Sequence, residues 1–140
     1  MIRNLVEMFL PEQQIYLENI AYERIDMEID KEEHALRCED NIAVKTNGNE
    51  SVSITVTRTL NFEPEELFSL KVSFGALLKF APEKRDLYDW DSINMAEEFR
   101  MNGDFITGNL MGRISLQIAQ ITSSFGQAPL ILPPNVAKEN

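Results

Sequence analysis

One stretch limits what this chain can fold into: from Thr107 to Phe125 the only charged side chain is Arg113. At helical spacing Ile106, Leu110, Ile114, Ile118, Ile121 and Phe125 fall on one stripe. The opposite side carries Gly112, Ser115, Leu116, Ala119 and Ser123, all small or apolar. A surface helix normally sets charges opposite its apolar stripe. This one does not, so both sides need cover. The chain's own sheet can supply one side. A second subunit is expected on the other, against Gly112, Leu116, Ala119 and Ser123.

The segments before this helix read as strands. Ile15 to Ile29 is rich in β-formers but alternates imperfectly. Ile20 and Tyr22 share one parity, whereas Ile25, Met27 and Ile29 share the other. A bulge near Glu23-Arg24 would restore the register. Leu36, Cys38, Ile42 and Val44 alternate cleanly, and Asn47-Gly48 follows as a hairpin signal. Val52, Ile54, Val56, Leu60 and Phe62 then point one way, with Ser53, Thr55, Thr57 and Thr59 the other. The last strand carries Phe68, Leu70, Val72, Phe74, Leu78 and Phe80 on one parity and Leu67 and Leu77 on the other.

Beyond Phe80 lies a charged connector, and Ser92 is placed to cap a short helix ended by Asn102-Gly103. The long helix is predicted over 107–125, with Gly126 at its C-terminal cap. The proline-flanked segment from Pro129 to Val136 cannot continue a helix and should dock as an extended tail. Strands first and helices second predict an α+β fold: a four-stranded antiparallel sheet with a short and a long helix packed on one face. At 140 residues this is one domain. It divides into an arm (1–12), a sheet (13–80), helices (92–126) and a tail (127–140).

The net charge of −10 argues against nucleic-acid binding, which needs a concentrated basic surface. A single cysteine, Cys38, rules out an intrachain disulfide and suits a reducing compartment. No segment approaches the roughly 20 apolar residues of a membrane span. Met1 to Leu10 contains Arg3 and Glu7 and is too short and charged for a signal-peptide core. A cytoplasmic protein without a nucleic-acid or membrane partner is expected.

Support for catalysis is slight. His34 is the single histidine and sits beside a charged run, so a solvated turn residue is expected. One His and one Cys cannot build a zinc site of normal ligand count. Cys38 lies on an apolar strand face, as buried free cysteines do. Asp86, Asp89 and Asp91 lack the glycine and spacing of an EF-hand, which favours a hydrated loop. No phosphate loop or nucleophile elbow occurs. No catalytic residue, metal or cofactor is expected. What remains is apolar surface in excess of one sheet and one helix, around Phe74, Leu77 and Leu78 and around Leu130, Ile131 and Leu132. An oligomer interface and a groove for other chains are both open readings.

Three segments resemble the SecB family of protein-export chaperones. Gln14 to Glu23 is similar to its opening strand. Val72-Ser73-Phe74-Gly75-Ala76-Leu77-Leu78 is similar to the end of its fourth strand. Asn109 to Ile114, Ser123 and the 129–136 tail resemble its long helix and the proline-containing segment after it. The resemblance implies a tetramer built as a dimer of dimers. It implies an ATP-independent holdase that keeps unfolded polypeptides in apolar grooves and passes them to the SecA motor. Some SecB-like chaperones instead protect the antitoxin of a toxin–antitoxin pair. The family docks SecA on an acidic sheet patch. Here Glu23 keeps its acid, whereas Asn19 and Lys71 stand where the family has acids, so SecA docking is expected to be weak or absent.

Two functions follow: a holdase, for export or for a dedicated client such as an antitoxin, or a non-catalytic oligomeric adaptor for one folded partner. Both need an assembly that covers the long helix. Leu116→Asp is expected to lower the assembly state, because an unpaired buried carboxylate costs several kcal/mol. Sedimentation at micromolar concentration checks this, and a monomeric wild type would sink it.

Overall fold

The computed structural model describes residues 2–25, 35–63, 67–125 and 129–136. His34, Met27, Ile29, Gly126 and residues 138–140 lie outside the described residues. Four antiparallel strands, β1 (Phe9–Ile25), β2 (Ala35–Asn47), β3 (Ser51–Glu63) and β4 (Leu67–Phe80), precede helices α1 (Met95–Asn102) and α2 (Asp104–Ser123). The sheet order is β1-β4-β3-β2, so β1 and β2 form opposite edges. This is a Greek-key arrangement, with three successive antiparallel neighbours and one strand returned beside the last.

The β2–β3 hairpin forms where Asn47-Gly48 announces it. Asn47 pairs with Ser51, Gly48 takes a φ of 55°, and Glu50 N–H donates to the Asn47 carbonyl at 3.0 Å. A positive φ suits glycine, which has no Cβ to clash. Along β3 and β4 the even-numbered residues face the helices. Val52, Ile54, Val56, Leu60, Leu70, Val72, Ala76, Leu78 and Phe80 are buried there. The other face is polar, and on it Thr57 Oγ1 and Ser73 Oγ share a hydrogen bond of 2.7 Å. Tyr16 also lies on that outer face, where Gly75 leaves room for its ring across β4.

Several boundaries differ from the sequence expectation. The arm does not run to residue 12. A short 3-10 helix, Leu5–Met8, leads into β1 at Phe9, and Pro11 lies within the strand. Proline is tolerated there because β1 is an edge strand with one row of N–H groups unneeded for pairing. Ile2, Leu5 and Met8 are buried, and Ile2 N–H donates to Glu98 Oε2 at 2.8 Å. The bulge is not at Glu23-Arg24, where pairing with Ser69 and Phe68 is regular. It falls between Leu17, opposite Phe74, and Asn19, opposite Ser73. Asn94, not Ser92, caps α1, its side chain accepting from Glu97 N–H at 3.2 Å. The long helix starts three residues earlier than predicted and ends at Ser123, before Gly126.

The core lies between the even-numbered sheet face and α2, which packs over β4 and β3. Its far end is aromatic: Phe9 stacks on Phe80 at 4.9 Å, and Phe80 on Trp90 at 4.3 Å. Only Gly103 separates α1 from α2. Its N–H donates to the Phe99 carbonyl, and its own carbonyl accepts from Ile106 and Thr107. A Cβ on Gly103 would overlap the Phe99 backbone. Gly103→Ala is therefore expected to cost about 1–3 kcal/mol of stability, as overpacking does. Urea unfolding measures this, and an unchanged midpoint would refute the tight-corner account.

Candidate functional site

The bulge decides where β1 places its apolar side chains. With Glu18 taking up the extra position, Leu17 and Ile20 come to the same, helix-side face, opposite Phe74 and Val72. Tyr22 follows on that face, opposite Leu70. Their partners on β4 are covered by α2, with Leu70 and Val72 fully buried. Leu17, Ile20 and Tyr22 are not covered: they are 52%, 37% and 45% exposed. One end of this strip is closed by an aromatic cluster. The Phe125 ring lies 5.3 Å from that of Tyr22 and 5.1 Å from that of Phe68, and Phe62 meets Phe68 edge-on at 5.2 Å. Beside the strip, the outer backbone edge of the 17-residue β1 has no strand partner among the described residues.

This strip was not legible from apolar parity alone, because the displaced bulge controls it. The residues singled out from sequence are distributed differently. Leu78, by contrast, is fully buried and belongs to the core. Phe74 is half-buried on the helix-side face, next to Leu17. Leu77 sits on the opposite, outer face, beside Gln14 and Ser53. Leu130 and Leu132 pack against the core from the tail, whereas Ile131 is 79% exposed. These six side chains therefore do not form one surface.

Gly112, Leu116, Ala119 and Ser123 do share one face of α2, the side turned away from the sheet. Leu116 is 61% exposed there, and a Cβ on Gly112 would meet nothing. Glu23, Asn19 and Lys71 lie together on the outer face of the sheet, at its β1–β4 side. All three are exposed.

Between α2 and β2 the structure holds a buried ion pair that the sequence reading passed over. Arg58 of β3 lies directly opposite Asp40 of β2. Its Nε and Nη2 donate to the two Asp40 oxygens at 2.7 and 2.8 Å. Both side chains are out of water, at 2% and 0% exposure. Hydrogen bonding to Asp40 pushes the Arg58 guanidinium further up, so it stays charged. Cys38 is half-buried beside this pair, 3.9 Å from Asp40 Oδ1. Burial pushes its thiol up, which keeps it protonated and a poor nucleophile. Asp86 and Asp91 accept from Asn49 and Thr46 at 3.1 and 2.9 Å, pinning the connector to the hairpin.

Among solved structures, the chain is similar to Rv1957 of Mycobacterium tuberculosis, a SecB-like chaperone in complex with a ChAD peptide from the Rv1956 HigA1 antitoxin. The TM-score is 0.62 at 13% identity, over 86% of this chain and 89% of that one. A protein of unknown function from Streptococcus agalactiae aligns at a TM-score of 0.46 and 12% identity, over 87% and 97% of the two chains. No protein-family model and no curated protein matches the sequence. The likeness to Rv1957 shows a SecB-like fold. Among the described residues no helix is long and apolar enough to cross a membrane.

Removing one member of the buried pair strands the other's charge. Arg58→Ala is expected to cost about 3–5 kcal/mol, whereas the apolar double change Arg58→Met with Asp40→Leu restores much of it. Denaturant unfolding of the three proteins checks this. A single mutant as stable as the wild type would show that the pair contributes nothing.

Proposed function

We propose that this chain is an ATP-independent chaperone that holds unfolded polypeptides on exposed apolar surface, with the strip along β1 as the principal contact. The observation that carries the reading is the exposed set Leu17, Ile20, Tyr22 and Phe125, set along a strand edge that has no strand partner among the described residues, in a SecB-like fold. Apolar side chains beside a strand edge without a strand partner among the described residues suit an extended chain. Such a chain can add as a strand while its alternate residues enter the strip. Each apolar contact of this size contributes about 1.5–3 kcal/mol, so binding sums several modest contacts and needs no fixed client sequence.

A dedicated client such as an antitoxin is the finer form of this reading, supported by the antitoxin peptide bound to Rv1957. The open α2 face around Leu116 supports self-association, with a dimer of dimers as the expected form. For SecA, Lys71 beside Glu23 puts a cation on the sheet patch where a basic partner would meet it, which opposes docking. Titration calorimetry against SecA at low salt tests that point, and a tight complex indifferent to Lys71→Glu would overturn it.

The main test is binding of a permanently unfolded protein. Leu17→Ser combined with Tyr22→Ser is expected to weaken affinity at least about tenfold, given the apolar area removed. The circular dichroism spectrum should not change, since both side chains are exposed. The wild type should also slow aggregation of an unrelated unfolded protein at near-stoichiometric amounts, which an adaptor for one folded partner would not do. Unchanged affinity in the double mutant would remove β1 from the client surface.

A further inference from the structure

The groove between α2 and β2 is filled by the chain's own tail, and every hydrogen bond described across it reads main chain. Thr122 Oγ1 accepts from Leu130 N–H at 2.8 Å, and Ser115 Oγ donates to the Leu132 carbonyl at 2.6 Å. Arg58 donates through Nη1 to the Pro133 carbonyl at 2.8 Å and through Nη2 to the Asn135 carbonyl at 3.0 Å. The strap's side chains alternate as in an extended segment. Leu130 and Leu132 pack inward, and Ile131 points to water. We propose that this groove is a second binding site for extended polypeptide, and that residues 129–136 are its displaceable resident. The proposal rests on the chaperone reading above and deepens it by naming a separate site.

Three features support exchange. First, the buried guanidinium is held by Asp40, which leaves its remaining donors aimed at two carbonyls of whatever chain lies above. With the strap displaced, these donors need new acceptors, and the carbonyls of a second extended chain meet the same geometry. Second, the contacts ask little of the occupant: an extended backbone and apolar side chains two residues apart. Third, Pro133 and Pro134 have no N–H, so the strap cannot pair with the sheet through those residues. A client segment with a full set of N–H groups gives up nothing by taking the same seat.

A tethered strap competes at an effective concentration of about 1 mM. If the free segment binds at about 0.1 mM, the strap lowers client affinity for this groove about tenfold. The test uses the full chain with nitroxide labels on Gln120→Cys and Ile131→Cys, both exposed, in a Cys38→Ala background. The probe is a reduced, carboxymethylated protein, and its binding is measured separately by calorimetry. The distance distribution between the labels should be narrow in the free chain and broaden in proportion to client bound. A synthetic peptide of residues 129–136 should compete with the client, and truncation after residue 128 should raise client affinity about tenfold. If truncation prevents folding, the label measurement on the full chain decides. Client binding with an unchanged distance distribution overturns the displaceable strap while leaving the chaperone reading intact. Failure of the client to bind either the full or the truncated chain overturns both.

Discussion

A single helix is narrower than the sheet it covers. Four strands about 4.8 Å apart span more width than one α-helix about 10–12 Å across can shield. Placing α2 over β4 and β3 buries the middle of the sheet and leaves two flanks. The flanks are treated differently. On the β2 side α1 packs against the strand and the tail lies along α2, with Leu130 and Leu132 packed on the core. On the β1 side Leu17, Ile20 and Tyr22 stay exposed, with the Phe125 ring against Tyr22 at one end. The asymmetry of the fold, and both surfaces for which a function is proposed, follow from this mismatch of widths.

The polar pair on the β2 side explains why that flank closes with main chain. An apolar layer interrupted by Arg58 and Asp40 cannot be sealed by aliphatic side chains alone, because guanidinium donors remain after Asp40 is satisfied. Carbonyl groups of an irregular segment meet that demand, and a proline-containing strap presents carbonyls without needing pairs for its missing N–H groups. Replacing such pairs by apolar residues is often neutral for stability. Their presence here therefore directs attention to what they hold in place.

Much of this fold could be read from residue patterns. The alternation from Val52 to Phe62, the Asn47-Gly48 turn and the uncharged run of α2 each point to the element that forms. The extended tail docks on the body as expected. The β1 strand was harder, because a bulge shifts parity and its position depends on pairing with β4, not on local composition. The same displacement hid Leu17, Ile20 and Tyr22 as a surface. Leu78 lies in the core and not at the surface, since apolar parity does not distinguish a strand position under the helix from one beside it. The Arg58–Asp40 pair did leave a signal. Each is the charged residue that interrupts an otherwise apolar parity, and the hairpin register set by Asn47-Gly48 places them opposite one another.

The strand order also governs when the pieces can assemble. β2, β3 and β4 pair with their neighbours in the chain. β1 must wait for β4, joining Ile25 to Leu67 at its near end and Phe9 to Phe80 at its far end. Closing so long a loop costs chain entropy that the hairpins do not face. On a ribosome the first strand made is thus the last to find its partner. Throughout that interval Leu17, Ile20 and Tyr22 are even more open to other chains than in the folded chain. The surface proposed to catch unfolded polypeptide is, during synthesis, part of an unfolded polypeptide itself, and the growing chain can meet mature copies of its own kind.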